Sequence, residues 1–506
     1  MEEKLAKFKA LLQDMYDLRS ASLLLIWDQS TYMPPGGADT RGRITALLDR
    51  LAQERLVDPA LLRLLEELEP YAASLPFDHD DAALVRATRR EVEIMGKVPP
   101  EFWSEFSEHM AAAYQVWTQA RADNDWQKIE PYLEQTLEYS RQFADFYPGY
   151  NHIADPLIAY MDYGMKAADI RHIFAELRQQ LVPLIEAIRG QPQVDTACLH
   201  GHFPKDSQLK FAEEVIGELG YDFKRGRLDL THHPFTAPLS VGDVRVTTRV
   251  NEDTLTECFF PAIHEAGHAM HLQGYNPAYE ASPLGYWTSA SVLESQSRTW
   301  ENLVGRSRTF WSHYYPRLQA YFPDQFKDVP LETFYRAINR VQPSLIRTAA
   351  DEVTYNLHPM IRFELELALL EGSLAVKDLP EAWREAYTRD LGVTPTDFKD
   401  GVMQDVHWYS GAIGGGFQGY TLGNILSAMF FEKALEAHPE IPGEMEHGRF
   451  DTLRNWLTEN IYWAGAKYTT IELAQRVTGK PELDVQPLMR YFRTKYGEIY
   501  DLGHWV

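Results

Sequence analysis

The stretch AIHEAGHAMH, residues 262–271, sets histidines at 264, 268 and 271 around one glutamate, Glu265. On a helix, two histidines four residues apart stand one turn above another on one face, so both can reach a single ion. Glu265 is rotated roughly 100° from His264, beside such an ion rather than on it. From there it can take a proton from water that the ion has acidified, the central step of a metal-assisted hydrolysis. The HExxH spacing of His264, Glu265 and His268 therefore predicts two ligands and a general base. His271 shares the face, but seven residues carry it about 10 Å along the axis from His264, too far to converge on bonds of about 2 Å. It is expected to pack or hydrogen-bond nearby. Cys258 lies on the opposite side of the helix from His264 and is expected to be a small buried hydrophobe.

A third ligand must come from another element. SVLESQSRTWENLVGRSRTFW, residues 291–311, follows the histidines and reads as a helix. Glu294 near its start is the first candidate and Glu301 the competitor; spacing does not separate them. Two histidines and a glutamate leave a fourth position open for water. Zn2+ is the default for such a set, and Co2+ or Mn2+ can occupy the same geometry.

These residues need a scaffold, and most of the chain reads as helix. Segments 80–95, 169–188 and 206–220 carry apolar residues at three- and four-residue spacing, with Asp206 expected to cap the last and Gly220 to stop it. Segments 331–341 and 351–372 behave alike, and Pro359 should kink or split the second. Around the HExxH motif, Asn251 is the expected cap and Gly274 the stop. Pro261 should bend this helix or mark its true start. Gly267 costs about 1 kcal/mol against alanine inside a helix, which a close backbone approach would justify. One stretch, residues 227–250, loses the helical period and reads as a small antiparallel hairpin or sheet. The expected architecture is mainly α, one large helical fold over residues 1–506 that could divide into two lobes near the loop at 189–204.

Bulk properties narrow the function further. The 506 residues carry a net charge of −24, which disfavours nucleic acid and anionic lipid as partners. Two cysteines cannot build a disulfide framework in a chain of this length, which fits a reducing compartment. The N-terminus reads as a charged amphipathic helix rather than a signal peptide, and no run of about 18 apolar residues occurs. A cytoplasmic protein without membrane contact is expected.

Six ordered motifs give the chain a resemblance that does not rest on HExxH. HPF at 233–235, DVRVT at 243–247, HEAGH at 264–268, ESQSRTWEN at 294–302, IRTAAD at 346–351 and GVMQDVHW at 401–408 occur in order, and WDQSTYMPPGGADTR near the N-terminus adds to them. Together they resemble the carboxypeptidase Taq family of metallopeptidases over nearly the whole chain. The resemblance implies a helical metallopeptidase fold with a deep groove and a small antiparallel sheet beside the zinc helix. It implies release of single residues from peptides with a free C-terminus, with broad specificity, by a homodimer. Carried over by position, His264, His268 and Glu294 bind the metal and Glu265 is the general base. Arg347 receives the terminal carboxylate, a bidentate task that suits a planar guanidinium. His233, Arg245 and His407 are expected to contact substrate, and Tyr420 to hydrogen-bond the tetrahedral intermediate.

The chain departs from the family pattern twice. Leu293 stands where a histidine usually precedes the glutamate ligand. Three successive glycines, Gly414, Gly415 and Gly416, replace an aromatic-proline turn; that loop is expected to be mobile, which puts the alignment of Tyr420 in question. Two rivals stay open at this point: a peptidyl-dipeptidase or oligopeptidase with the same HExxH…E layout, and a peptide-binding relative that has lost catalysis.

Overall fold

The amphipathic segments form helices close to their expected bounds: Asp80–Met95, Ala167–Arg189, Lys205–Leu219 and Leu331–Ile338. The computed structural model describes residues 1–286 and 288–503. Asp206 lies in the first turn of its helix rather than at the cap, which is Pro204, and Gly220 is the C-cap. Pro359 splits its segment. A 3-10 turn over Thr354–Asn356 precedes a helix over Leu357–Glu371, which places the proline in the first turn, where a backbone N–H has no helical partner to lose. Among the described residues no helix is long and apolar enough to cross a membrane.

The chain divides into two compact units, each assembled from three segments. The first unit takes Met1–Gly96, Val194–Ile338 and Ser427–Pro481; the second takes Lys97–Gln193, Asn339–Leu426 and Glu482–Val506. One crossing thus falls within residues 189–204.

The first unit opens with a helical hairpin, α1 (Glu2–Thr31) and α2 (Ala38–Leu56), with Phe8, Leu12, Met15 and Leu56 fully buried. The stretch at 227–250 is a three-stranded sheet: β1 (Leu228–Leu230), β2 (Thr236–Ser240) and β3 (Asp243–Thr248), in the order β1-β3-β2. β2 and β3 form the expected antiparallel hairpin, with Thr236 opposite Val246 and Ala237 opposite Arg245. β1 runs parallel to β3 on its other edge, so the sheet is mixed. Alternation along β3 buries Val244 and Val246 completely on one face and turns Arg245 to the other. Helix α3 (Thr256–Gln273), which carries HExxH, packs on this sheet and along α4 (Ala290–Arg298), while α1 packs on β2. Asn251 is not the cap of α3. It makes a short bridge with Thr254, its side chain donates to Glu257, and α3 begins at Thr256. Gly274 ends α3 as expected, and Pro261 sits inside it.

The second unit is helical among its described residues. Helix α5 (Leu357–Glu371) is its buried centre, with Phe363 packed edge-on against Phe174 of the Ala167–Arg189 helix. Two of the three glycines, Gly414 and Gly415, are buried in a packed turn, while Gly416 has open space beside it. Gly415 holds φ at +86°, and a Cβ there would lie 2.2 Å from the carbonyl oxygen of Leu157. Only glycine fits both demands.

Candidate metal centre

The glycine inside the HExxH helix is explained by contact. A Cβ at position 267 would lie 2.8 Å from Cα of Ser297 and 2.9 Å from the carbonyl oxygen of Gln296. Helices α3 and α4 therefore touch backbone to backbone at this point, and α4 offers small Ser295 and Ser297, both buried. That approach brings the start of α4 over the histidines. Gly267→Ala is expected to wedge the helices apart, costing about 1–3 kcal/mol of stability as overpacking does. It should also weaken metal binding. Thermal unfolding of the metal-free protein together with a metal titration checks both; unchanged metal affinity would show that the contact does not set the ligand geometry.

His264, His268 and Glu294 converge, each offering a ligand atom within 4.8 Å of the others. The Nε2 atoms of His264 and His268 each lie 3.6 Å from Oε2 of Glu294. Donors placed tetrahedrally about an ion with bonds of about 2 Å stand about 3.3 Å apart, so a small contraction seats a divalent cation on two nitrogens and one oxygen. The donor set fits the group.

The supporting shell is also present. His264 Nδ1 lies 2.8 Å from Oε2 of Glu301, so Glu301 is no rival ligand; it orients His264 from behind, as carboxylates do for metal-binding histidines. A π-turn over Thr299–Val304 follows α4 directly and resets the helical register between Glu294 and Glu301, which lets both meet the same imidazole. Arg298 joins the two carboxylates, 2.6 Å from Oε1 of Glu294 and 3.1 Å from Oε2 of Glu301. Burial pushes Glu294 up, but Arg298 and the two histidines hold it below its ordinary pKa. Burial and the neighbouring His264 push His268 down to about 3, which keeps it neutral, as a ligand must be. The backbone of Leu293 hydrogen-bonds His268, so position 293 supports the centre through its main chain while its side chain is buried. His271 packs against the rings of Tyr275 and Tyr462 at 5.2 and 4.9 Å, as expected of a histidine outside the site. Cys258 is fully buried.

Glu265 is held by the sheet. Thr236 Oγ1 donates to Oε2 of Glu265 at 2.7 Å and sits 3.0 Å from its carbonyl oxygen. Burial raises the pKa of this carboxyl, and His264 and the Thr236 hydroxyl oppose the rise. The HPF and DVRVT segments are tied together by Thr247. Its Oγ1 lies 2.8 Å from the Phe235 nitrogen and 2.9 Å from the Phe235 oxygen. These contacts join the two segments beside Thr236, the residue that holds Glu265. His233 is exposed on the loop before β2. Arg245 points to the face of β3 away from α3, forks onto Asp243 at 2.9 and 2.8 Å, and lies 4.2 Å over the Trp27 ring. The structure does not place it with Glu265.

The second unit gathers the remaining candidates into one cluster. Arg347, buried at 7% exposure, sends Nε to Oδ2 of Asp405 at 2.5 Å, with Nη2 3.4 Å from Oδ1. Its Nη1 donates to the Tyr355 hydroxyl at 3.2 Å. A guanidinium has five N–H groups, so one remains on each terminal nitrogen, the pair that a carboxylate would take. His407 lies 2.5 Å from Oδ1 of Asp405 through Nδ1 and 2.9 Å from the Tyr420 hydroxyl through Nε2. Burial pushes Asp405 up, but Arg347 and His407 hold it well below the usual carboxylate range. Tyr420 thus joins this cluster in spite of the glycine loop before it.

Sequence reasoning missed Thr236, Thr247, Arg298 and Asp405. Asp405 stood inside a quoted motif, but nothing in its spacing linked it to Arg347, 58 residues earlier.

The carboxypeptidase Taq (M32) metallopeptidase family matches residues 7–496. The chain is 40% identical over 493 residues to thermostable carboxypeptidase 1 of Thermus thermophilus, covering 96% of each chain. It is 34% identical to carboxypeptidase 1 of Bacillus subtilis, covering 98% of each. The crystal structure of an M32 carboxypeptidase from Deinococcus radiodurans superposes with a TM-score of 0.95 at 44% identity, covering 99% of this chain and 100% of that one.

Proposed function

The chain belongs to the carboxypeptidase Taq (M32) family of metallopeptidases and is a metal-dependent carboxypeptidase, and on that premise we propose how its residues divide the work. His264, His268 and Glu294 hold Zn2+, Glu265 is the general base, and Arg347 receives the free C-terminal carboxylate of the peptide. The observation that carries this reading is the convergence of three donors with Glu265 beside them, its carboxylate fixed by Thr236.

A divalent cation held there supplies Lewis acidity, polarising the scissile carbonyl and acidifying water. Glu265 accepts a proton from the attacking water on its carboxylate and later delivers it to the leaving amine. Thr236 limits the rotation of that carboxylate, and Glu301 fixes the His264 ring. Arg347 binds the terminal carboxylate through its two remaining N–H groups, which makes the enzyme release single residues. Tyr420 hydrogen-bonds the charge that builds on the reacting oxygen.

A peptide ladder read by mass spectrometry tests the reading. One-residue steps are expected, abolished by a chelator and restored by Zn2+. Steps of two residues, or equal cleavage of C-terminally amidated peptides, would favour a peptidyl-dipeptidase instead.

A further inference from the structure

We infer that Asp405 is a positioning residue that ties the placement of Tyr420 to that of Arg347. The inference rests on the roles proposed above for those two side chains.

Asp405 divides its carboxylate. Oδ2 takes Arg347 Nε at 2.5 Å and lies 3.4 Å from Nε of Arg362, while Oδ1 takes His407 Nδ1 at 2.5 Å. An ionised carboxylate only accepts hydrogen bonds, so Nδ1 of His407 carries its proton. The tautomer is thereby fixed, and Nε2 is left to the Tyr420 hydroxyl at 2.9 Å. The imidazole cannot turn without breaking one bond at each end, and the Phe417 ring packs against it at 4.8 Å between centroids. The guanidinium of Arg347 in turn lies 4.9 Å over the Tyr420 ring. Arg347, Asp405, His407 and Tyr420 therefore form a closed loop of contacts, and Asp405 is its one anion.

Charge supports the same role. Arg362 is fully buried and donates to Gln404, which also accepts the Arg347 backbone N–H. Two guanidiniums thus share one carboxylate, so Asp405 is the common anchor of both. An asparagine at 405 would keep the shape but not the function. Its one oxygen can accept from Arg347 or from His407, and its amide N–H would face the other donor.

The test is steady-state kinetics on one free-acid peptide and its C-terminal amide, with thermal unfolding as a control. Asp405→Asn is expected to lower kcat by on the order of 10- to 100-fold, the size of a lost hydrogen bond to a charged group, and to raise KM for the free acid. His407→Gln should lower kcat while leaving KM within about twofold, because Arg347 keeps its own bond to Oδ2 of Asp405. The double variant should be no worse in kcat than Asp405→Asn, since both act through one chain of contacts. Wild-type kcat in folded Asp405→Asn, or losses that multiply in the double variant, would overturn the inference. If Asp405→Asn does not fold, His407→Gln and Tyr420→Phe carry the test: equal, non-multiplying losses support the relay and multiplying losses sink it. Failure of the parent reading looks different. In that case Arg347→Lys keeps the wild-type preference for free acid over amide, whatever the kcat pattern at 405 and 407.

Discussion

Glu265→Gln is expected to keep its metal and lose at least about 1000-fold in kcat, within the range that general acid–base groups supply. The geometry gives the reason for both halves of this result. The three candidate donors are His264, His268 and Glu294, and Glu265 lies outside that group on α3, so removing its charge should leave the metal in place. Glutamine has the same volume, and its side-chain oxygen can still accept from Thr236, whose hydroxyl lies 2.7 Å from Oε2. The fold and the centre should survive the exchange. The amide has no basic site with which to take a proton from water, so turnover should not. Metal content per chain and kcat on one peptide decide it. A variant that keeps more than a tenth of the wild-type rate would remove Glu265 from the mechanism.

Arg347→Lys is expected to cut kcat/KM for free-acid peptides by roughly 150-fold, corresponding to about 3 kcal/mol for disrupting a desolvated, hydrogen-bonded charge pair. Amidated peptides, which never used that pairing, should change little, so the preference for a free C-terminus collapses. Lysine keeps the positive charge beside Asp405 and so spares the buried cluster. What it lacks is the fork: Nε and Nη2 face Asp405 while the outer edge of the guanidinium keeps two N–H groups for an anion. Comparing the acid-to-amide ratio in the two proteins isolates the effect from any general loss of activity. An unchanged ratio would move carboxylate recognition to another residue.

Much of the centre could be read from residue spacing because α3 is a regular helix there. The four-residue step from His264 to His268 translates directly into one face, and the seven-residue step excludes His271. The third ligand was harder. Glu294 and Glu301 are seven apart, and a regular helix would place them alike; the π-turn over Thr299–Val304 separates their roles, and nothing in the residue types announces a π-turn. Asn251 had the right chemistry for a cap, but the bridge to Thr254 used that stretch first. The face on which Arg245 lies could not be read from the sequence for a simpler reason. Alternation along β3 puts it opposite Val244 and Val246, and which face meets α3 is a tertiary fact. Gly267 shows the converse: an awkward residue in a helix did mark the close contact that explains it.

The order of segments in the first unit has a consequence for how the protein is made. The ligands span only residues 264–294, so the loop to be closed between them is short and its entropic cost small. That part can assemble soon after it leaves the ribosome. The N-terminal helices cannot finish so early. Arg90 pairs with Glu472 and Asp80 with Lys467, so the first 96 residues reach their final neighbours only when the Ser427–Pro481 segment has been synthesised. About 385 residues separate the two ends of that wait, roughly 20–80 s at ~5–20 residues per second. The apolar cluster around Leu61, Leu65 and Leu68 is packed instead by Tyr279 and Leu284 from the middle of the chain, so its burial does not wait for the late segment, whereas the two ion pairs do.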